Sequence, residues 1–168
     1  MRIIGIDPGL QRTGWGLIDV QGNKLTHISH GVVTTDTKAP TAERLVKIFD
    51  ELTQMMQLWL PDEAAIEETF VNKNPASSLK LGLARGVAMM APAKMGLDVA
   101  EYPANLVKKS VVGAGHAEKE QVQAMIKILL PGVEASSDAA DALAVAICHA
   151  NHSSSRAKMG GIMSGGVR

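Results

Sequence analysis

The sequence has one cysteine, no excess of either charge and no long apolar run, and each shortage excludes a class of protein. A single cysteine among 168 residues cannot build a disulfide framework and is typical of a reducing compartment. No apolar run approaches the roughly 20 residues that cross a membrane, and the N-terminus lacks the charged-then-apolar pattern of a secretory signal. We therefore expect a cytoplasmic protein with no membrane partner.

The apolar content is enough for one globular domain. Hydrophobic residues make up 46% of the chain, which argues against disorder of the chain as a whole. A chain of this length buries roughly two-thirds of its unfolded surface, so it needs no disulfide or metal to fold. From residue 151 the sequence is polar and glycine-rich without periodicity. We predict a folded domain over residues 1–150 and a flexible C-terminal tail over residues 151–168.

The zero net charge is an average over segments of opposite balance. Seventeen basic side chains match seventeen acidic ones, which by itself argues against a polyanionic partner. Residues 1–70, however, hold six basic and ten acidic side chains, whereas residues 71–115 hold six basic and two acidic ones. Solvated helix faces explain such a segregation in an arbitrary protein. It also suits a basic surface beside an acidic site, which the motifs must support.

Periodicity predicts a three-stranded antiparallel meander followed by alternating strands and helices. The predicted elements are strands over 2–7, 13–20 and 24–35, a helix over 41–60, a strand over 63–68, a helix over 76–95, a strand over 97–102, and helices over 104–111, 116–130 and 136–149. Thr41 is expected to cap the first helix, and Pro61 to end it. This order predicts an α/β protein in which helices flank a five-stranded mixed sheet.

The predicted helix over residues 76–95 has apolar residues on more than one face. It also carries Gly82 and Gly86 one turn apart, where another backbone could approach closely. Such a helix is either sandwiched within its own domain or in contact with a protein partner. The pattern alone favours neither explanation.

Acidic side chains occur where strand ends and a helix start are expected to meet. Asp7 ends the first strand, and Glu67 or Glu68 ends the fourth. If these strands are parallel neighbours, their carboxyl ends share the edge at which α/β sheets bind ligands. Asp138 and Asp141 are three residues apart on the last helix and project from one face.

Each acid alone has a structural explanation, as a turn former, a solvated strand end or a helix cap. For Asp138 and Asp141 considered alone, capping is the better explanation. When the four acids are considered together, a cation site becomes the better explanation, because converging carboxylates repel one another unless a cation neutralises them. Carboxylate oxygens suit Mg²⁺ or Mn²⁺, and two such ions can activate a water and stabilise the leaving oxygen in phosphodiester hydrolysis.

Five motifs, in order, give the sequence a family resemblance. They are GIDPGLQRTGWG (5–16), AIEETF (65–70), NKNPASSLKLGLARG (72–86), VKKSVVGAGHAEKEQV (107–122) and DAADALAVAICHA (138–150). Together they resemble the RuvC family of crossover junction endodeoxyribonucleases over residues 2–150. The resemblance implies a ribonuclease H-like fold and a homodimer that cuts four-way DNA (Holliday) junctions symmetrically in recombination and repair. It also implies divalent metal and the RuvA–RuvB branch-migration complex as a partner.

The resemblance assigns the catalytic and metal-binding roles to Asp7, Glu67, Asp138 and Asp141. Glu67 is the match rather than Glu68, because it directly follows the Ala-Ile pair. Asp7 would bridge two Mg²⁺ ions per subunit, with Mn²⁺ as a substitute, and a metal-bound water would attack in line with the departing 3′ oxygen. The expected products carry a 5′ phosphate and a 3′ hydroxyl.

The candidate DNA contacts are Arg12, Phe70, Lys73, Lys80, Arg85, Lys108 and Lys119. By the resemblance, Phe70 would stack on bases or wedge between them, and Lys119 would help to stabilise the pentavalent phosphate. Without the resemblance, Phe70 could equally be a core aromatic that anchors its loop. Lys108 and Lys119 would then be interpreted as solvated lysines.

Two other functions compete. Residues 5–16 also resemble the first phosphate loop of sugar kinases and actin-like ATPases, whose backbone amides hold nucleotide phosphates. Those proteins need two such domains and a second phosphate motif, for which this chain is too short. A non-catalytic junction-binding relative is the remaining alternative, and four intact acids argue against it.

Overall fold

The fold is a five-stranded mixed sheet with helices on both faces. A computed structural model describes residues 1–68 and 74–153 and the backbone of residues 154–163. The elements are β1 (Arg2–Asp7), β2 (Arg12–Gln21), β3 (Lys24–Thr34), α1 (Thr41–Trp59), β4 (Glu63–Glu68), α2 (Pro75–Lys94), β5 (Asp98–Pro103), α3 (Ala104–Val112), α4 (Lys119–Leu129) and α5 (Ser137–Met163). The strand order is β3-β2-β1-β4-β5. The predicted α/β class and sheet are confirmed.

Strand directions place β1 and β4 side by side. β2 is antiparallel to both β1 and β3, whereas β4 is parallel to both β1 and β5. The carboxyl ends of β1 and β4 therefore lie at the same edge of the sheet, as the sequence predicted. None of the helices in the described part of the chain is long and apolar enough to cross a membrane.

Side chains alternate along the strands between two cores. Ile3 and Ala65 belong to the core formed with α3, α4 and α5, whereas Ile4 and Ile66 belong to the core formed with α1 and α2. This alternation follows from the two-residue repeat of a strand. Because both faces of the central strands are buried, β1 is apolar at almost every position.

Three glycines let α5 lie directly on β1 and β2. A methyl group at Gly5 would overlap the carbonyl oxygen of Ala142, and one at Gly14 would overlap the carbonyl oxygen of Asp138. At Gly16 the added carbon would lie 2.6 Å from the side chain of Leu143. These glycines therefore set the distance between the sheet and the start of α5.

The caps at three helix starts differ from the predictions. α1 has Pro40 at its N-cap position and no side-chain cap, so the cap predicted at Thr41 is wrong. α4 begins at Lys119 rather than residue 116, because Glu118 and Gln121 form a reciprocal capping box. Where a cap was not expected, Asn74 accepts from the backbone N–H of residues 76 and 77 at the start of α2.

α5 continues beyond its predicted end at residue 149 and reaches Met163. The extension is held at its base, because the Asn151 side chain donates to Ser110 Oγ at 3.1 Å and the His152 ring stacks on Tyr102. These tertiary contacts oppose the poor helix propensity of the serines and glycines that follow. The predicted tail thus begins within a helix, and its flexibility stays a prediction.

Candidate active site

Asp7 and Glu67 lie side by side at the ends of neighbouring strands. Ile6 pairs with Ile66 in the parallel ladder, and the two acids are the next residue on each strand. Asp7 also pairs with Gly14 of β2. The carboxylates thus arise from the middle of the sheet, at the edge where the parallel strands end.

Strand alternation separates Glu67 from Glu68. Glu67 shares a face with Ala65, which packs against α5, whereas Glu68 shares a face with Ile66, which packs against α1 and α2. Only Glu67 therefore faces the helix that carries the other two acids. This geometry agrees with the choice of Glu67 that the family resemblance made.

The first two turns of α5 bring Asp138 and Asp141 over the same sheet edge. Burial raises the pKa of Asp7 to about 8, and the negative charges of Glu67, Asp141 and Asp138 add to that rise. Burial also raises the pKa of Glu67, again with a contribution from the charge of Asp141. These effects require short separations, so the structure does bring the four acids together.

Two basic side chains neutralise the α5 acids. Lys119 Nζ lies 2.9 Å from Asp141 Oδ2, and Arg12 Nε donates to Asp138 Oδ2 at 2.7 Å. The hydrogen bond to Asp141 raises the pKa of Lys119. Lys119 is therefore paired with an acid of the site, although its side chain remains 55% exposed. Asp138 lies in the first turn of α5, where it bonds to a side chain of β2.

A cavity of about 350 Å³ opens beside the acids. Glu67, Asp141, Lys108 and Lys119 line it, together with Glu118 at the start of α4. The positive charges of Lys108 and Lys119 partly oppose the upward shift in the pKa of Glu67. This cavity has room for a phosphate group with cations and carboxylates on its walls.

The donor set suits a hard divalent cation, although the carboxylates are not arranged around a single point. Among the described residues, no three His, Cys, Asp or Glu side chains are grouped closely enough to hold one metal ion. Asp138 is drawn to Arg12 and Asp141 to Lys119, which explains this spread. The pKa values of Asp7, Glu67 and Asp141 are raised, chiefly by burial. Together with Asp138 these side chains nevertheless offer the carboxylate oxygens that Mg²⁺ prefers as ligands.

A family model described as crossover junction endodeoxyribonuclease RuvC matches residues 3–149. The chain belongs to the RuvC family. It is 59% identical over 160 residues to the crossover junction endodeoxyribonuclease RuvC of Paramagnetospirillum magneticum, a match that spans 95% of this chain and 96% of the relative. This membership excludes the sugar-kinase interpretation of residues 5–16.

Solved structures agree with the family assignment. The structure of T. thermophilus RuvC in complex with a Holliday junction substrate superimposes with a TM-score of 0.85 at 33% identity, over 91% of this chain and 94% of that one. The yeast mitochondrial Holliday junction resolvase Ydc2 has a TM-score of 0.62 at 13% identity, over 88% of this chain and 77% of that one, which shows the fold alone. The ribonuclease H-like fold and the endonuclease class are confirmed.

The other predicted DNA contacts of this RuvC-family chain are scattered. Phe70 and Lys73 lie outside the described residues. Lys80 lines a second cavity, between α1, α2 and the loop after β1. Arg85 is paired with Glu101 of β5, and both side chains are partly exposed, so its contact with DNA stays a prediction. Sequence reasoning missed Arg44, a buried cation in the second cavity, because a polar residue in an amphipathic helix carries no distinguishing signal.

Proposed function

We propose that this RuvC-family protein resolves four-way DNA junctions by hydrolysing one phosphodiester in each of two like strands. The observation that carries the proposal is the meeting of four carboxylates from β1, β4 and α5 beside Lys108 and Lys119. The resemblance to a RuvC that was solved with a Holliday junction substrate supports the choice of substrate.

Divalent metal is the cofactor that this donor set fits. Two Mg²⁺ ions, replaceable by Mn²⁺, would be held by Asp7, Glu67, Asp138 and Asp141. Bound there, they would supply the positive charge that activates a water and stabilises the leaving 3′ oxygen. Lys119, once released from Asp141, would donate to the phosphate at the cut, and Lys108 would contact the backbone beside it. The products would carry a 5′ phosphate and a 3′ hydroxyl.

A homodimer would place two such sites on one junction, and α2 is the candidate interface. One face of α2 is buried against its own domain at Ala84, Ala88 and Ala91. The opposite face exposes an apolar stripe that consists of Leu79, Leu83 and Met90. Gly82 and Gly86 lie along the same stripe and have open space above them. The helix is therefore half inside its domain and half available to a partner.

Two-fold symmetry would convert one active site per subunit into paired cuts at symmetry-related points. RuvA–RuvB remains a proposed partner on the basis of family likeness. Recognition would depend mainly on junction shape, because phosphate contacts position a protein without carrying sequence information.

Synthetic four-way junctions test the proposal. Incubation with Mg²⁺ should give nicks at symmetric positions on two like strands, and EDTA should abolish them. Asp7→Asn should remove cutting but keep junction binding, because it changes a metal ligand and leaves the binding surface intact. Mapping the ends on sequencing gels, alongside electrophoretic binding assays, measures both. Intact junctions after incubation with the unaltered protein would overturn the assignment, and joint loss of cutting and binding would contradict the role of Asp7.

A further inference from the structure

Arg44 is a buried cation that has no carboxylate partner among the described residues. It lies on α1 and is only 9% exposed. Its Nε donates to Thr35 Oγ1 at 2.9 Å, which is the one side-chain bond it makes within the described residues. A buried charge is costly unless an opposite charge accompanies it, and buried arginines are normally paired for this reason. The charge of Arg44 is therefore left to solvent or to an anion from outside the chain.

The side chain of Arg44 is held in one orientation. Thr35 Oγ1, which accepts from Arg44, donates to the carbonyl oxygen of Leu10 at 2.5 Å. The backbone N–H of Thr35 donates to the carbonyl oxygen of Gln11 at 3.0 Å. Arg44 is thus tied through Thr35 to the loop that follows β1 and Asp7. The two terminal guanidinium nitrogens are not sealed from solvent, since buried atoms without partners occur only at Thr53 and Arg85 in the described part of the chain.

Arg44 lines a cavity of about 400 Å³, and none of the described residues that line it is an acid. The polar residues that line it are Gln11, Thr37, Arg44, Ser77 and Lys80. All of them can donate hydrogen bonds, and two are cations. Ser77 belongs to the first turn of α2, whose dipole adds positive potential there. The two cavities differ in charge, because acids line the cavity beside Asp141 and none of the described residues lining this one is an acid.

We propose that Arg44 and Lys80 form a second phosphate subsite, which holds a backbone phosphate of the DNA at a distance from the cut. A guanidinium that presents two parallel N–H groups fits the oxygens of a phosphodiester. The loop of residues 8–11 connects Asp7 to this subsite, since Leu10 and Gln11 line the cavity, so a phosphate bound to Arg44 would fix the strand relative to the acids. This inference rests on the proposed function, because it requires a DNA substrate.

Junction affinity tests the subsite in the non-cutting Asp7→Asn protein. Arg44→Gln and Lys80→Gln should each weaken binding, Arg44→Gln by about tenfold. The slope of log affinity against log salt should become shallower by about one. Lys47→Gln is the matched control, because it removes an exposed cation from the same helix outside the cavity. Circular dichroism and melting curves establish that each variant folds; Lys80 is exposed, so its variant remains informative if Arg44→Gln does not fold.

A methylphosphonate scan of the junction locates the phosphate. Phosphates are neutralised one at a time. At one position the neutral group should weaken binding by the Asp7→Asn protein, but it should cause no further loss in variants that also carry Arg44→Gln or Lys80→Gln. Strictly additive losses at every position, or Arg44→Gln and Lys80→Gln affinities equal to that of Lys47→Gln, would overturn the subsite. Inorganic phosphate tests whether the subsite binds a free anion instead of DNA. A DNA subsite is excluded if phosphate raises the melting temperature only when Arg44 is present and Arg44→Gln leaves junction affinity unchanged. Normal cutting by the unaltered protein would leave the nuclease assignment standing in either case.

Discussion

Burial raises the pKa of Asp7, so folding favours the protonated form of this carboxyl. Its pKa is about 8 when folded, against an ordinary value of 3.8. Between these two values the folded state binds more protons than the unfolded state, so the free energy of unfolding falls as pH rises through this window. The pKa of Asp7 is raised by its burial and by the negative charges of three nearby carboxylates. A bound cation would lower this pKa because it favours the ionised carboxylate.

This linkage predicts an unusual pH dependence of stability in metal-free buffer. The melting temperature should fall as pH rises from about 5 to about 9, and Asp7→Asn should flatten this fall because it removes the titrating group. Calorimetry in EDTA measures both slopes. Mg²⁺ should restore the melting temperature of the parent protein at the alkaline end. Equal slopes for the parent and Asp7→Asn would contradict the raised pKa.

The four acids were predictable residue by residue, but their basic partners were not. Strand ends and helical spacing make Asp7, Asp138 and Asp141 candidates, and the family resemblance assigns them a shared role. Arg12 bonds to Asp138 across 126 positions of sequence, and no local pattern announces such a contact. Arg44 was missed for the same reason, since its lack of a carboxylate partner among the described residues is a property of the fold.

At the scale of elements, β1 and β4 have the predicted bounds because short apolar runs between turn residues define them. Helix ends were less predictable. α4 starts at a capping box and α5 continues on tertiary contacts, neither of which apolar periodicity reports. A register shift in the β2–β3 ladder at Leu17 and Ile18 likewise leaves no signal in the alternation.

The close approach of α5 to the glycines of β1 and β2 predicts the effect of a single added methyl group. Gly14→Ala should displace the start of α5, because the new carbon would overlap the carbonyl oxygen of Asp138. We expect a destabilisation of about 1–3 kcal/mol, as for overpacked cores. Cutting should fall more than junction binding, since Asp138 and Asp141 move while the basic surface does not. Unchanged melting temperature and unchanged cutting would show that α5 does not need this close approach.

The apolar stripe of α2 predicts how the protein assembles. Leu83→Glu should convert a dimer into a monomer, because it buries a charge in the interface. Leu58→Glu is the matched control, since Leu58 is also an exposed leucine but lies on α1. Light scattering after size exclusion, over a range of concentrations, measures both. A parent protein that is monomeric throughout, or a Leu83→Glu dimer, would contradict the assigned interface.

For the whole molecule, the neutral charge no longer argues against DNA. Four of the seventeen acids converge at the candidate metal site, so the remaining surface has a modest surplus of positive charge. A modest surplus implies few phosphate contacts. Junction affinity should therefore fall by less than the factor of about 10³ to 10⁵ that strongly basic binders lose between about 50 and about 200 mM salt. A salt titration of Asp7→Asn binding checks this, and a loss within that range would contradict it.

With the four acids as the proposed catalytic set, their placement also determines when in its synthesis the protein would become a nuclease. Asp7 and Glu67 emerge early, but Asp138 and Asp141 emerge only when most of the chain is made. Until α5 docks, a nascent chain therefore has two of the four site carboxylates, and the sheet face that α5 covers is exposed. A truncated product that ends before α5 would be an aggregation hazard rather than an unregulated DNA-cutting enzyme, because catalysis and solubility both await the same helix.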